Sequence, residues 1–453
     1  MEVRKRRPST KKTLSTGEEP SEAEAASVPL NGGCGDVKTY LLAFGLRIIA
    51  AVFLQGYLSR SNEFTTPWNS FRRVKEAVHV QHEYGVSPYE GDFFHLMPIF
   101  LTILAPFAYV PAAFITLTII ADVTAAYILQ KAAITYLSKL VEKKQITVEQ
   151  AENAVYLVLL IYLFNPMAIG SAAIGSISVL VNLVVVISIL AHLKGHIYLA
   201  TILTISATVT YSYYIVLLAP IFVSAENKRL KVFSVIFATL GSYFALNCLV
   251  EHASRYFGDT FYLFWNVPDL TPNVGVWWYF FVFAFDQYRS FFLWVFQLAA
   301  VLPVVPLSWT LRADPTILTY VCLGHVAVLS SYPSYAEAVV LLAMYPMFAQ
   351  TVKYSRYTVI GFGTVAATFV LAPIMFRMWM ITGSGNANFY FAVVIVYVLA
   401  LSFLVVDIMY GFVRHEFGQT AKEAGVSEAD QISADYPIKG IIPFRSGAFN
   451  KLF

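Results

Sequence analysis

The chain is divided by apolar runs that are long enough to cross a lipid bilayer as helices. They lie near positions 40–58, 112–136, 151–165, 177–193, 231–250, 290–309, 315–331, 335–351, 357–380 and 389–412. In hydrocarbon every backbone N–H and C=O must be bonded within the protein, so such runs fold as helices. Only 13% of the 453 residues are charged and 58% are hydrophobic, which excludes a large soluble core. The sequence therefore predicts an all-α polytopic membrane protein.

The run from 198 to 224 is interrupted by Thr208, Tyr211 and Ser212, which predicts two shorter elements there. With the ten runs above, the prediction becomes about twelve transmembrane helices. Lysine and arginine cluster in connections that then fall on one side of the membrane, at 139–144, 226–231, 312, 353–356 and 414. By the positive-inside rule both termini are cytosolic.

This topology predicts three parts of the chain. Residues 1–37 form a disordered basic cytosolic tail, 38–412 a single transmembrane domain, and 413–453 a cytosolic C-terminal tail. Within the domain, 59–111 is predicted to stay on the lumenal side as interfacial or re-entrant helices. Counting 93–109 as a span would move every later basic connection to the wrong side, and Pro98 and Pro106 interrupt it.

A polar segment runs into an almost entirely aromatic one between Asn266 and Phe292, reading NVPDLTPNVGVWWYFFVFAFDQYRSFF. Pro268 and Pro272 exclude lipid-exposed backbone there, because the freed N–H and C=O groups would have no partner in hydrocarbon. With the topology above, the Gly-, Pro- and Asn-rich connections gather on the lumenal face, at 85–91, 165–178, 267–273, 331–334 and 383–388. We therefore predict that the functional surface lies on that face.

Three segments of the chain resemble the PIG-U family, the multispanning subunit of the glycosylphosphatidylinositol (GPI) transamidase of the endoplasmic reticulum membrane. They are residues 266–292, GSGNANF at 383–389 and GVSPYEGDFFH at 85–95. The resemblance covers about residues 40 to 415. A weaker similarity, in SPYEGDFFHLMP and in FNPMAIGSAAIGSISVLVNLVVVISIL, extends to the GPI mannosyltransferases, enzymes of the GT-C fold. This implies a GT-C-like scaffold.

The choice between enzyme and binding subunit depends on carboxylates. The mannosyltransferases place acidic residues in the first lumenal loop, where this chain has a lone Glu63 followed by basic residues. Glu90 and Asp92 also lie in that loop, so a dolichol-phosphate-mannose-dependent mannosyltransferase remains the alternative. A transporter is a third possibility, but the spans carry few charges, mainly Asp122 and Asp407, each expected to pair with a hydroxyl or backbone group.

No metal, other cofactor or nucleic acid is expected. The histidine pairs 79/82 and 192/196 lack a third convincing ligand, and the net charge of +3 is too small to indicate a nucleic-acid partner. No Cys/His arrangement could cleave a peptide. The resemblance therefore implies that the transamidase nucleophile belongs to a caspase-like cysteine peptidase subunit, a partner of this chain along with the other transamidase subunits.

The resemblance implies a non-catalytic subunit that binds and presents the GPI lipid and scaffolds the complex. Aromatic side chains would lie along acyl chains, although an ordinary aromatic belt explains them equally well, and neutral amides would contact sugar and phosphate oxygens. The predicted lipid-binding residues are Asn273, Trp277, Trp278, Phe281, Ser384, Asn386, Asn388 and Phe389. The residues predicted to dock other subunits are Pro268, Asp269 and Pro272.

Overall fold

The computed structural model of the protein describes residues 37–91, 93–250 and 253–423. That part of the chain contains no strand and twenty α-helices. They are α1 Val37–Phe53, α2 Gln55–Leu58, α3 Phe71–Tyr84, α4 Pro98–Tyr109, α5 Pro111–Glu142, α6 Val148–Leu163, α7 Pro166–Ala173, α8 Ile177–Leu193, α9 Ile197–Thr210, α10 Leu218–Ser224, α11 Arg229–Val250, α12 Ala253–Asn266, α13 Trp277–Phe283, α14 Asp286–Val301, α15 Val304–Thr310, α16 Pro315–Leu329, α17 Tyr335–Met344, α18 Ala349–Val352, α19 Thr358–Met380 and α20 Ala387–Glu423. The all-α prediction is confirmed.

Six helical segments in the described residues are long and apolar enough to cross a membrane. They are Pro111–Glu142, Glu226–Val250, Asp286–Thr310, Tyr335–Val352, Thr358–Met380 and Ala387–Gln419. A seventh is possible if α6 and α7, which meet at a bend of 42°, form one span. The predicted count of twelve is not confirmed, because several predicted spans fold as helices of 14 to 17 residues.

Local sequence explains why these runs are short. The run at 198–224 breaks at Tyr211, as predicted, where α9 gives way to a 3₁₀ turn before α10. Helix α16 begins at a cap in which the Asp314 carboxylate accepts the N–H of Thr316, with Pro315 at the first helical position. Each of these breaks satisfies free backbone groups within the protein rather than in lipid.

The predicted tails lie largely outside the described residues. The last helix, α20, continues to Glu423, past the predicted domain boundary at 412. In the segment 59–111, α4 has only 12 residues, and α3 is amphipathic. Helix α3 buries Phe71, Val74 and Val78 and exposes Arg72, the pattern of a helix that covers a protein or membrane surface.

Helix α17 lies at the centre of the bundle. Of its span, 89% is buried, whereas α11 is 17% buried and α19 22% buried, so these two lie at the periphery. Helices α6, α7, α8 and α16 pack around α17. The central position of α17 explains its lack of an amphipathic pattern, since a helix surrounded by protein is apolar on all sides.

The two carboxylates that the sequence analysis singled out in the spans, Asp122 and Asp407, are both paired. Asp122 accepts from Arg47 Nε across 2.7 Å and from the Tyr162 hydroxyl across 3.2 Å, which joins α1, α5 and α6. Asp122 thus has the expected hydroxyl partner, Tyr162, and also a cation partner, Arg47, that the sequence did not predict. Asp407 accepts the main-chain N–H groups of Arg356 and Tyr357, as expected. A carboxylate whose oxygens are already bonded within the bundle has little capacity left to bind a transported ion.

Candidate functional site: the loop face

Loops that are distant in sequence meet at one end of the bundle, which we call the loop face: residues 59–70, 267–276, 330–334 and 381–390. The main-chain N–H of Tyr335 donates to the Glu63 carbonyl across 2.9 Å. The main-chain N–H of Asp269 donates to the Tyr332 hydroxyl across 3.2 Å. The Tyr390 side chain lies beside the Glu63 carboxylate. These contacts bring together most of the connections that the topology assigned to one side.

Asp269 fastens the 267–276 segment to α3. Its carboxylate accepts from Arg73 Nη2 and from the Thr271 main-chain N–H, both across 2.9 Å, and from the Thr271 hydroxyl across 2.5 Å. Burial raises the pKa of Asp269, but the bonds from Thr271 and the Arg73 charge outweigh it and lower the pKa. Pro268 is exposed and Pro272 is half-buried. Asp269, predicted to dock subunits, thus already has partners inside the chain.

Asn273 is buried and shapes the turn after Pro272. It is 2% exposed, its side-chain oxygen accepts the N–H of Gly275 across 2.8 Å, and its carbonyl accepts the indole N–H of Trp278 across 3.0 Å. A β-carbon on Gly275 would lie 2.7 Å from Pro333, so the backbone needs glycine there to approach the 330–334 loop. Asn273 therefore faces the protein interior and not the surface where a lipid would lie.

Helix α13 turns its tryptophans inward. Trp277, Trp278 and Phe281 share one face of the helix and are at most 2% exposed. Trp277 donates to the Leu329 carbonyl, and Trp278 packs against α19 and α20. The expectation that these three rings lie along acyl chains does not match their burial. The exposed residues of this stretch include Phe283 and Phe285, at 64% and 72%.

The loop between α19 and α20 is built by tight local bonds. Gly383 has φ of +65°, a conformation that favours glycine, and the Gly385 N–H returns to the Met378 carbonyl across 3.1 Å. The Asn386 side-chain oxygen accepts the N–H of Asn388 across 3.0 Å. The Ser384 hydroxyl is bonded to that of Thr382 across 2.7 Å.

Tyr279 joins this loop to α13. Its hydroxyl donates to the side-chain oxygen of Asn388, and its ring stacks on Phe391 with centroids 3.9 Å apart and planes 8° from parallel. Phe389, next to Asn388, is 56% exposed. The bonds inside the chain use the oxygen of both amides, Asn386 and Asn388, which leaves their –NH₂ groups as donors. The structure therefore brings together two of the segments singled out in the sequence, 266–292 and 383–389.

Glu63 is enclosed in the protein. It is 1% exposed and accepts from the Ser61 hydroxyl, while Tyr390 lies beside it. Burial raises the pKa of Glu63, and the bond from Ser61 opposes this only in part. The residues that the structure describes contain no group of three His, Cys, Asp or Glu side chains that could hold a metal ion. Glu63 is thus not accessible to a substrate; of the other two acids named in the first loop, Glu90 is exposed and Asp92 lies outside the described residues.

A further buried carboxylate near the loop face, Glu337, was not predicted from the sequence. It accepts from the Ser334 N–H and hydroxyl across 2.5 and 2.6 Å and from the Ser178 hydroxyl across 2.8 Å. Asn69 extends this network by donating to Ser178 and Ser334. The motif Ser-Tyr-Ala-Glu at 334–337 is a capping box, and this spacing was the available signal. The network fixes the loop face against the central helix α17.

The fold and this face define a class: a polytopic helical membrane protein with a loop face that carries neutral amide donors beside exposed aromatic rings. The family model described as GPI transamidase subunit PIG-U matches residues 41–397, and the chain belongs to this family. The resemblance inferred from the sequence is confirmed.

Curated relatives agree with this assignment. The chain is 27% identical over 408 residues to the GPI-anchor transamidase component PIGU of Cricetulus griseus, with 83% of this chain and 94% of that protein covered. The identity and both coverages are the same for the PIGU component of Homo sapiens. The chain is also 27% identical over 371 residues to the GPI transamidase component GAB1 of Saccharomyces cerevisiae, covering 80% and 90% of the two chains.

Proposed function

We propose that the protein is a non-catalytic subunit of GPI transamidase in the endoplasmic reticulum membrane, which binds the GPI lipid at its loop face and presents it for attachment to proteins. Membership of the PIG-U family and the names of the relatives support a subunit role. The apolar helices support a multi-pass membrane location. We retain the proposed orientation with both termini cytosolic and the loop face lumenal.

The observation that carries the proposal is the contact between Tyr279 and Asn388. It places a loop with two neutral amide donors next to an exposed aromatic stretch. Amide N–H groups suit the phosphate and sugar oxygens of a glycolipid and avoid the desolvation cost of a buried charge. Exposed rings such as Phe389 and Phe283 suit acyl chains at the level of the headgroups.

Burial revises the predicted set of lipid contacts. Ser384, Asn386, Asn388 and Phe389 remain proposed contacts because they lie on the loop face. Asn273, Trp277, Trp278 and Phe281 support the site from beneath, since they are buried against its other elements. Asp269 and its neighbouring prolines shape a surface on which other subunits could dock.

The enclosure of Glu63 supports a non-catalytic role. A carboxylate that acts on a sugar hydroxyl has to reach the substrate, whereas Glu63 is 1% exposed. In this proposal the nucleophile for transamidation comes from a caspase-like cysteine peptidase partner. Mannosyl transfer from dolichol-linked mannose by the purified chain alone would contradict the proposal.

The proposal is tested by replacing the two amides, Asn386→Ala with Asn388→Ala. We expect less GPI lipid in the purified complex and fewer GPI-anchored reporter proteins at the cell surface, with the other subunits still co-purifying. The matched control replaces two exposed asparagines outside the loop face, Asn153→Ala with Asn227→Ala. Normal anchoring by the first double variant, at equal protein level, would remove the amides from the lipid site.

A further inference from the structure

A small cleft lies between the end of α12 and the first turns of α14, away from the loop-face site. Trp265 and Trp294 form its rim, with ring centroids 5.0 Å apart and planes at 89°, and each is 53% exposed. Asn266, Ser290 and Gln297 give it a polar lining, and the cleft, which is open to its surroundings, has a volume of about 60 Å³. Polar side chains and half-exposed indole rings therefore meet at one opening.

The cleft is braced by bonds between its two helices. Gln297 donates to the carbonyls of Phe264 and Trp265 across 2.6 and 3.3 Å. Arg289 donates to the carbonyls of Asn266 and Val267 across 3.3 and 2.8 Å. The carbonyls of residues 264–267, at the end of α12 and just beyond it, have no partner within that helix. Two side chains of α14 bond all four. These bonds hold the shape of the cleft without a ligand.

Both indole N–H groups at the rim remain available. Buried tryptophans elsewhere, such as Trp277 and Trp278, donate to main-chain carbonyls. Trp265 and Trp294 have no acceptor among the residues that the structure describes, and the Ser290 hydroxyl is exposed at the same opening. The cleft therefore offers donors to a ligand that is rich in acceptor oxygens.

The position of the cleft along its span indicates a lipid headgroup. The span Asp286–Thr310 has 25 residues, about 37 Å at 1.5 Å per residue, which exceeds the ~30 Å hydrocarbon core. Ser290 lies about 6 Å from the start of this span. A bilayer centred on the span therefore places Ser290 near the boundary between headgroups and acyl chains. Indole N–H groups commonly lie at this depth.

An apolar path leads from the cleft toward the other end of the span. Below Trp294, the side chains of Leu298, Val301, Leu302 and Val305 are 43% to 68% exposed and follow one stripe of α14 and α15. The opposite face of α14 packs against α13 through Phe292 and Phe296. A headgroup in the cleft would thus have its acyl chains along this stripe, separated from the loop-face site by the body of α14.

We propose that this cleft binds the phosphodiester headgroup of a two-chain membrane lipid, as a second lipid site. The indole N–H groups and the Ser290 hydroxyl donate to its phosphate and ester oxygens. Bulk glycerophospholipid and a phosphatidylinositol glycolipid share this chemistry. The inference does not depend on the loop-face proposal, because it uses different residues, at the end of α12 and on α14.

The test uses the purified complex reconstituted in vesicles of phosphatidylcholine with a minor fraction of glucosaminyl-phosphatidylinositol. After transfer to detergent and dilution, native mass spectrometry counts and identifies the lipids that stay bound. Ser290→Trp, which fills the cleft, should lower retention of one lipid about tenfold. Ser234→Trp, which adds the same bulk to the exposed face of α11, should retain it. The mass of the lost lipid identifies its source.

A second variant keeps the test decisive if Ser290→Trp fails to fold. The double variant Trp265→Phe with Trp294→Phe removes both N–H donors and keeps aromatic rings, so it should also lower retention of the lipid. The control Trp309→Phe changes another exposed tryptophan and should leave retention of the lipid unchanged. Equal retention in wild type and cleft variants would overturn the proposal. Loss of the same lipid from the Asn386→Ala, Asn388→Ala variant would overturn the proposal of a second site. Loss of the lipid from the cleft variants alone supports the second site, even if the loop-face proposal fails.

Discussion

Replacing Tyr279 by phenylalanine isolates the bond that joins the two halves of the proposed GPI site. The variant loses the hydroxyl that donates to Asn388 and keeps the ring that stacks on Phe391 at 3.9 Å. A neutral hydrogen bond of this kind contributes about 0.5–1.5 kcal/mol. If the bond orients the Asn388 amide toward the lipid, its loss should weaken GPI capture by about two- to tenfold.

The assay is the amount of GPI lipid retained by complexes purified from cells that express the variant at wild-type level. Tyr288→Phe is the matched control, because that tyrosine is 53% exposed and lies on α14. Because Tyr279 acts through Asn388, Tyr279→Phe should have no further effect in an Asn388→Ala background. Wild-type capture by Tyr279→Phe, or two effects that simply add, would refute this reasoning.

Three further predictions concern the support of the loop face. Trp278→Ala should destabilise the protein by about 3 kcal/mol or more, because it leaves a cavity between α13, α19 and α20. Trp278→Phe should destabilise it less, and thermal unfolding followed by size-exclusion chromatography measures both variants. Asp269→Asn should lower stability by about 1 kcal/mol near neutral pH, since the pair with Arg73 is partly exposed. Because the pKa of Asp269 is lowered in the folded protein, the stability difference between wild type and variant should persist above pH 3.8, the usual pKa of aspartate. It should vanish as the pH falls through the lowered pKa, which unfolding measured at a series of pH values would show. Glu63→Gln should preserve GPI anchoring in cells. Because burial raises the pKa of Glu63, the wild-type protein is relatively most stable below pH 4.5 and loses stability as the pH rises through the pKa of the folded state. The stability of the variant should not show this dependence on pH. Loss of anchoring by folded Glu63→Gln protein would favour the mannosyltransferase alternative.

The sequence was sufficient for the class of fold and for the family. Runs of apolar residues predict helices whatever their partners, because lipid leaves the backbone no other way to satisfy its polar groups. The predicted number of spans is not confirmed, because a hydropathy pattern does not show where helix caps and 3₁₀ turns, such as those at Asp314 and Tyr211, divide an apolar run. Two of the three segments that carried the resemblance, 266–292 and 383–389, also proved to meet in space, through Tyr279 and Asn388.

The orientation of α13 could not be predicted. Its sequence, WWYFFVF, is apolar all round, so periodicity does not show which face is buried, and the choice is made by contacts with Leu329 and Tyr390 far along the chain. The partners of Asp269 and Asp122 were equally inaccessible. Arg73 is 196 residues from Asp269, and Arg47 is 75 residues from Asp122, so only the tertiary fold pairs them.

The central claim is that the GPI lipid lies against the loop face, and the most direct measurement is a structure of the assembled transamidase with its lipid bound. We expect density for a two-chain lipid with its headgroup within hydrogen-bond distance of the Asn386 and Asn388 amides and its chains beside Phe389 and Phe283. A GPI lipid bound elsewhere, with these amides facing only solvent or another subunit, would contradict it.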